Sequence, residues 1–342
     1  MGVEGYVVSN LVVAVVAGAL VLAVVAVRRS RLWREAFAEI GRRRPVAVAV
    51  VAVYVALAGM EAVAWIDSAP TGENTESRLP RSLLDRMFPD DFRERSYSAP
   101  LASVEFYGEA ALARPGGHLL GTDKIGRDVL KQTLKGAKVA LLIGGLTSSI
   151  AILLALVLGV SAGYLGGRFD DAVFFVMSTL ASMPGLLLLI ALIAVLGHGT
   201  LQVCIALGVT SWVGMCRLSR AETFKLRELD YVIAARALGV SDRRIILRHI
   251  LPNLMHLVVI TFVLMFSGLV LSEAVLSWLG IGLDGSWGQM IDQARDELSR
   301  EPAVWWNLAA ASTALFVLIL AVNRLGDAVR DVLDPRTQRE VA

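Results

Sequence analysis

Blocks of about twenty residues almost free of charge recur along this chain, and a helix of that length crosses a bilayer core about 30 Å thick. Seven blocks qualify: residues 6–27, 46–66, 139–164, 172–196, 201–215, 254–276 and 305–322. The fifth is short and contains Gln202, which predicts a trimmed or tilted helix. These blocks are why 56% of the residues are hydrophobic and only 19% charged. Soluble domains have about 45–50% apolar and roughly 25% charged residues. A soluble enzyme, a disordered chain and a secreted disulfide scaffold are excluded. The expected fold is an all-α polytopic membrane protein.

The flanks of the blocks give a direction. No positive charge precedes the first block, no A-x-A site stands out, and Arg28, Arg29, Arg31 and Arg34 follow it. That predicts an uncleaved helix with its N-terminus outside. Residues 28–45 carry seven Arg and two Glu, and residues 217–252 carry eight Lys/Arg and four Asp/Glu. The tail adds Arg324, Arg330, Arg336 and Arg339. With these segments inside, the C-terminus is cytoplasmic and residues 67–138 lie outside. The stretch 67–118 is polar and dotted with Pro70, Pro80, Pro89, Pro100 and Pro115. It reads either as a partly ordered loop or as a small packed subdomain.

Little in the chain can do covalent chemistry. A net charge of +2 gives no argument for nucleic acid. His118, His198, His249 and His256 lack metal-ligand spacing, and Cys204 and Cys216 read as packing residues. No G-x-x-x-x-G-K-[ST] loop, G-x-S-x-G elbow or H-E-x-x-H helix is present. No ATP, metal or other cofactor is therefore expected on this chain. An ion-coupled carrier would place ionisable groups near the bilayer midplane. Only Glu273 and His256 come near that, both toward span ends. The chain reads as a conduit driven by something else.

The most unusual polar stretch is 217–252. Residues 222–238 predict a surface helix, and Gly239 breaks it, since glycine takes a φ > 0 turn cheaply. Ser241 is placed to cap a second helix over 242–250 that ends at Pro252. Asp242 in its first turn and Arg248 and His249 in its last suit the helix dipole. Two readings stand: a basic loop lying on lipid headgroups, or a shaped docking surface.

Residues Ala234, Ala235, Arg236, Ala237, Leu238, Gly239, Val240, Ser241 and Asp242, then Ile246, His249, Leu251, Pro252 and Asn253, resemble the EAA loop of ABC importer permeases. Gly121 to Leu130, GTDKIGRDVL, resembles a signature of dipeptide, oligopeptide and nickel importer permeases. Glu273, Ala274 and Leu276 to Gly280, then Ser286, Trp287 and Gly288, resemble the segment around their last outer loop. Asn323 to Asp327 with Arg330, Asp331 and Leu333 to Arg336 resemble their terminal signature. Order and spacing match the C-type, second permease subunit over about residues 119–336. Ile233 stands where the glutamate of the EAA motif would fall, which puts one coupling contact in doubt. The first block and the long outer stretch are also departures.

The resemblance implies a type I importer-like helical bundle with an extra N-terminal span, multi-pass in the bacterial plasma (inner) membrane. Its partners would be a second, B-type permease, two ATPase subunits that bind ATP and Mg, an external solute-binding protein, and lipid. The solute would be dipeptides or longer peptides, with nickel chelates or peptide-like antibiotics as alternatives. An ion-coupled carrier and a scaffold without transport activity are the competing classes. The coupling residues carried over are Ala234, Ala235, Arg236, Gly239, Ser241, Asp242, Arg243, His249 and Pro252. Gly121, Asp123, Gly126, Arg127 and Asp128 would form an outer interfacial segment, with Asp123 capping a helix that enters the third span. They read as a structural hydrogen-bond cluster rather than a catalytic site.

Other positions keep two readings. Gly159-x-x-x-Gly163 suits close helix approach, to the partner permease or within the chain. Pro184-Gly185 interrupts the fourth span, as a pathway-lining kink or an ordinary bend. Glu273 is a candidate outer-gate residue or half of a buried salt bridge. The first span is an anchor or a partner-docking helix. The expected organisation is 1–45 (extra span and Arg-rich linker), 46–66 (first core span), 67–138 (outer loop), 139–323 (permease core with coupling loop 217–252) and 324–342 (cytoplasmic tail).

Overall fold

The computed structural model describes residues 39, 41–65, 81–88, 94, 97–108, 110–112, 115–197 and 199–333. The predicted span 6–27, most of the linker behind it and the end of the terminal signature lie outside these. The described residues are mostly helical, with one two-stranded pair and a largely irregular stretch over 94–128. They form two compact units. One joins the described residues up to Leu141 to Leu271–Leu325, and the other joins Leu142–Val270 to the described residues from Gly326.

In the first unit, α1 (Pro45–Ala62) opens on a proline, whose missing N–H costs nothing in a first turn. Strands β1 (Ala64–Trp65) and β2 (Arg81–Ser82) pair antiparallel. Ser82 then caps α2 (Leu83–Met87) in a reciprocal capping box with Asp85. The helix α3 (Val129–Leu142) begins at Asp128, whose Oδ1 accepts from the Lys131 amide at 3.0 Å. The indole of Trp287 closes on α3, donating to the Thr133 carbonyl at 2.8 Å, with its ring where a side chain on Gly136 would stand. The Tyr54 ring meets Trp287 edge-on at 5.7 Å, and its hydroxyl donates to the Ala314 carbonyl at 2.9 Å.

In the second unit a π turn (Ile143–Thr147) leads into α4 (Ser148–Leu165). There follow α5 (Gly167–Ser182), α6 (Gly185–Leu196), α7 (Thr200–Ser211) and α8 (Val213–Arg227). Helices α4 and α8 pack at the two glycines of the G-x-x-x-G pair. A Cβ on Gly159 would stand 2.6 Å from the Cys216 carbonyl, and one on Gly163 2.7 Å from the Arg220 carbonyl. The small residues therefore serve packing within the chain. Arg227 donates to the Gly163 carbonyl at 2.9 Å, covering an orphan acceptor at the end of α4.

The remaining elements are α9 (Asp230–Ala237), α10 (Asp242–Ile245), a second π turn (Ile246–Ile250), α11 (Leu251–Trp278), α12 (Trp287–Glu297) and α13 (Trp306–Leu333). Four helical runs among the described residues are long and apolar enough to cross a membrane: Pro45–Ala62, Val129–Leu165, Asp242–Trp278 and Trp306–Val332. Two bent pairs bring the number to six if each is one span. These six correspond to the predicted second to seventh spans.

Several boundaries differ from expectation. The third span starts at Val129, ten residues earlier than its apolar block, because amphipathic turns precede it. The fourth is broken by 98° between Ser182 and Gly185, around Pro184. The fifth runs on to Arg227 with a bend of 43°. The surface helix expected over 222–238 is thus two helices that part at Glu228–Leu229. Pro252 does not end a helix. The π turn just before it widens the backbone where a proline ring would press on the carbonyl four residues back.

Candidate functional site

The loop between α8 and α11 is built around one left-handed residue. Gly239 has φ +80°, and the turn it makes has the Schellman pattern: Val240 N–H bonds Ala235 O at 3.1 Å, and Gly239 N–H bonds Arg236 O at 3.0 Å. The apolar seat beneath is Val232, Ile245, Ile250 and Leu254, all fully buried, with Val160 and Tyr164 of α4. A second anchor is polar. The Tyr164 hydroxyl donates to Asp242 Oδ1 at 2.8 Å, and the Arg236 guanidinium lies 5.1 Å from the Tyr164 ring centre.

The other face is open. Ala234, Arg236, Gly239, Ser241, Asp242, Arg243 and Pro252 are exposed; Ala235 and His249 are half-buried. Nothing lies within 4 Å of a Cβ built on Gly239. Leu238 is 84% exposed and Leu247 65%, large apolar side chains on an otherwise basic surface. Ile233, in the place of the motif glutamate, is exposed too. Ser241 occupies the N-cap position of α10 in extended conformation, but its hydroxyl makes no cap bond. The cap expected there is absent, and Asp242 is held instead by Tyr164. The sequence carried no signal for Tyr164, which meets Asp242 from 78 positions away.

The second cluster is the GTDKIGRD turn. Asp123 is fully buried and accepts from Ile125 N at 3.0 Å, Arg127 N at 2.8 Å, Arg127 Nε at 2.8 Å and Gln132 Nε2 at 2.9 Å. It organises the turn; the helix cap expected of it is made by Asp128. Gly121 and Gly126 have φ of +72° and +74°, with backbone of Ser98 and Glu94 where a side chain would stand. Trp306 donates to the Thr122 carbonyl at 2.9 Å. Asp128 also meets His118 Nδ1 at 2.8 Å, and Glu94 lies 3.7 Å from the other ring nitrogen. Both acids of the turn, Asp123 and Asp128, are engaged with neighbouring groups.

Glu273 is 4% exposed and accepts from Ser277 Oγ at 2.6 Å, while Ser277 reaches Ser286 Oγ at 3.2 Å. Ser286 in turn accepts from Gln289 N at 3.1 Å as the cap of α12. The partners of Glu273 are hydroxyls and the Leu283 backbone, so the salt bridge expected as one alternative is not formed with a described residue. Pro184 is exposed at the 98° break.

Three comparisons bear on this chain. The family model for the binding-protein-dependent transport system inner membrane component matches residues 155–339. A protein of Brucella abortus assigned as a peptide transport system permease is 41% identical over 227 residues, covering 65% of this chain and 75% of the relative. The dipeptide transport system permease protein of Bacillus subtilis is 35% identical over 229 residues, covering 65% and 70%. Among solved structures, an inward-facing methionine ABC transporter matches at 19% identity, over 59% of this chain and 97% of that one, with a TM-score of 0.48.

Proposed function

Because the chain belongs to the family of binding-protein-dependent transport system inner membrane components, we propose that it carries peptides inward and takes its drive through the loop 229–252. At the family level it is a multi-pass inner-membrane permease subunit of an ABC importer. The finer reading adds partners: a second permease to complete the pathway, two ATPases that hold ATP and Mg, and an external binding protein that delivers the solute. Peptides are favoured because the named relatives are peptide and dipeptide permeases. In this reading the N-terminus is outside and the C-terminus cytoplasmic.

One observation carries the coupling role. The loop has a buried seat and an exposed face joined at a left-handed glycine with nothing packed over it. A rigid element of this kind can transmit closure of an ATPase pair to the helices behind it as a hinge or shear movement. Arg236, Arg243 and Asp242 offer charge-assisted contacts, and Ala234 and Ala235 allow close approach. Pro184 is proposed at the pathway and Glu273 as the residue that positions α12 below the outer gate.

The test is Gly239→Asp in the purified assembled complex. Substrate-stimulated ATP hydrolysis is expected to vanish while assembly persists. Undiminished stimulation would remove the docking assignment. A binding assay on the solute-binding protein that partners this chain decides the solute, and failure to bind peptides would remove that part.

A further inference from the structure

Three buried oxygens on one stretch of the first unit have no donor among the described residues. They are Glu297 Oε1, Asn307 Oδ1 and Gln293 Oε1. Glu297 is 1% exposed and Asn307 fully buried. Among the described residues the one hydrogen bond that reaches the Glu297 carboxyl is from Asn307 Nδ2, 3.1 Å from Oε2. The same nitrogen lies 3.3 Å from the Met290 carbonyl. Asn307 therefore spans positions 290 and 297 of α12, and Gln293 lies on the face between them, since positions three and four apart share a face. All three orphans are acceptors.

An ionised Glu297 is poorly accommodated here. It is the last residue of α12, where the helix dipole opposes negative charge. No ion pair reaches it from a described residue. The two arginines nearest in sequence are turned to aromatic rings, Arg295 over Trp278 at 5.8 Å and Arg300 over Tyr97 at 5.3 Å. Lys124 and Arg300 act on it only at longer range, and Asp123, itself bound by Arg127, acts against it. Burial first, with Asp123 behind it, holds the carboxyl above the usual carboxylate range; Asn307 pulls the other way.

We propose that Glu297 is a neutral carboxylic acid in the working protein. Its O–H donates from Oε1 to one of the two amide oxygens left without a donor, forming a proton-dependent latch between α12 and the head of α13. One proton supplies the missing donor and removes the buried charge together. The latch has a mechanical setting. The N-terminus of α12 is tied through Ser286 and Ser277 to Glu273. Trp287 clamps it to α3. The Glu297 acid fastens the other end. Because the folded form holds the proton more tightly than the unfolded chain, the latch contributes fully at low pH. Its contribution is lost as pH rises through the folded midpoint.

The experiment is the melting midpoint of the full-length chain in its purified complex, followed from about pH 4 to alkaline pH, for wild type and Glu297→Gln. Wild type is expected to lose stability from about pH 4, where the unfolded carboxyl ionises, until pH passes the folded midpoint, and to level off beyond it. Glu297→Gln, which keeps the shape of the neutral acid, is expected to match wild type at the acid end and to remove that loss. Equal slopes over this range in the two proteins would overturn the proposal. So would a rise in the wild-type midpoint when sodium replaces choline that Glu297→Gln abolishes, since a cation would then fill the site. Should the variant not assemble, infrared spectra of a Glu273→Gln protein decide. A protonated-carboxyl band that disappears on alkaline titration supports the latch, and its absence at neutral pH overturns it.

Discussion

Tyr164, the penultimate residue of α4, donates its hydroxyl to Asp242, the first residue of α10, at 2.8 Å. This bond joins a membrane helix directly to the element that follows the Gly239 turn. Tyr164→Phe removes it and leaves the aromatic seat for Arg236 in place. A hydrogen bond to a charged group contributes about 1.5–3 kcal/mol when well buried. Asp242 is exposed, so the expected stability loss is below about 1 kcal/mol. Coupling is expected to suffer more than stability. Substrate-stimulated ATP hydrolysis should fall several-fold with an almost unchanged melting midpoint, as reconstituted complexes would report.

Gly159→Leu is expected to prevent normal assembly. Its side chain would enter the space held by Ser219 and the Cys216 carbonyl. Overpacking of this kind costs about 1–3 kcal/mol or more, and backbone cannot yield as a flexible side chain does. Gly145→Ala, where nothing lies within 4 Å, is the control and should assemble as wild type. The yield of monodisperse complex separates the two.

Asp85 gives the acid limb of stability. Burial pushes its carboxyl up, but Lys135 and Lys131 outweigh this and hold it well below the usual carboxylate range. Lys135 Nζ lies 2.8 Å and Lys131 Nζ 3.0 Å from Oδ1. Because the folded form releases the proton more readily than the unfolded chain, the contribution is present above about pH 4 and lost as pH falls through the folded value. Asp85→Asn should flatten the acid fall in melting midpoint and cost about 1–3 kcal/mol at neutral pH, since the lysines lose a half-buried partner.

Glu273→Gln tests gate against scaffold. The amide keeps an oxygen that can accept from Ser277, so assembly and uptake should both persist if the residue positions α12. A stably assembled variant that no longer transports would instead make the carboxylate itself part of the gate. Uptake into proteoliposomes, with assembly checked in parallel, distinguishes the outcomes.

What was legible in the sequence was local. Gly239 ahead of Ser241 and Asp242 announces a turn because the Schellman geometry is confined to a few consecutive residues. The GTDKIGRD turn was readable as a cluster for the same reason, although the cap belongs to Asp128 and not Asp123. The apolar blocks located six spans because burial in hydrocarbon is a property of composition. Four features were not legible. Tyr164 and Asp242 are distant in sequence, and nothing in either residue names the other. The helix break at Glu228–Leu229 has no glycine or proline to mark it. Whether Gly159 faces a partner chain or α8 depends on tertiary packing. The continuation of a helix through Pro252 depends on a change of hydrogen-bond register, which no residue type signals.

That register change has a consequence for how such a chain tolerates change. In the π turn Ile246–Ile250 the Leu251 N–H reaches back five residues to Ile246. The turn thus holds one residue more than an α-helix would need. Losing a single codon anywhere in it would close the run into a regular α-helix. The flanking helices would keep close to their present register, but the Pro252 ring would press on the carbonyl four residues back, at about 3 kcal/mol. The spare residue is what lets a proline stand inside a continuous helix here, and a one-residue deletion in 246–250 is expected to kink the run and lower the melting midpoint.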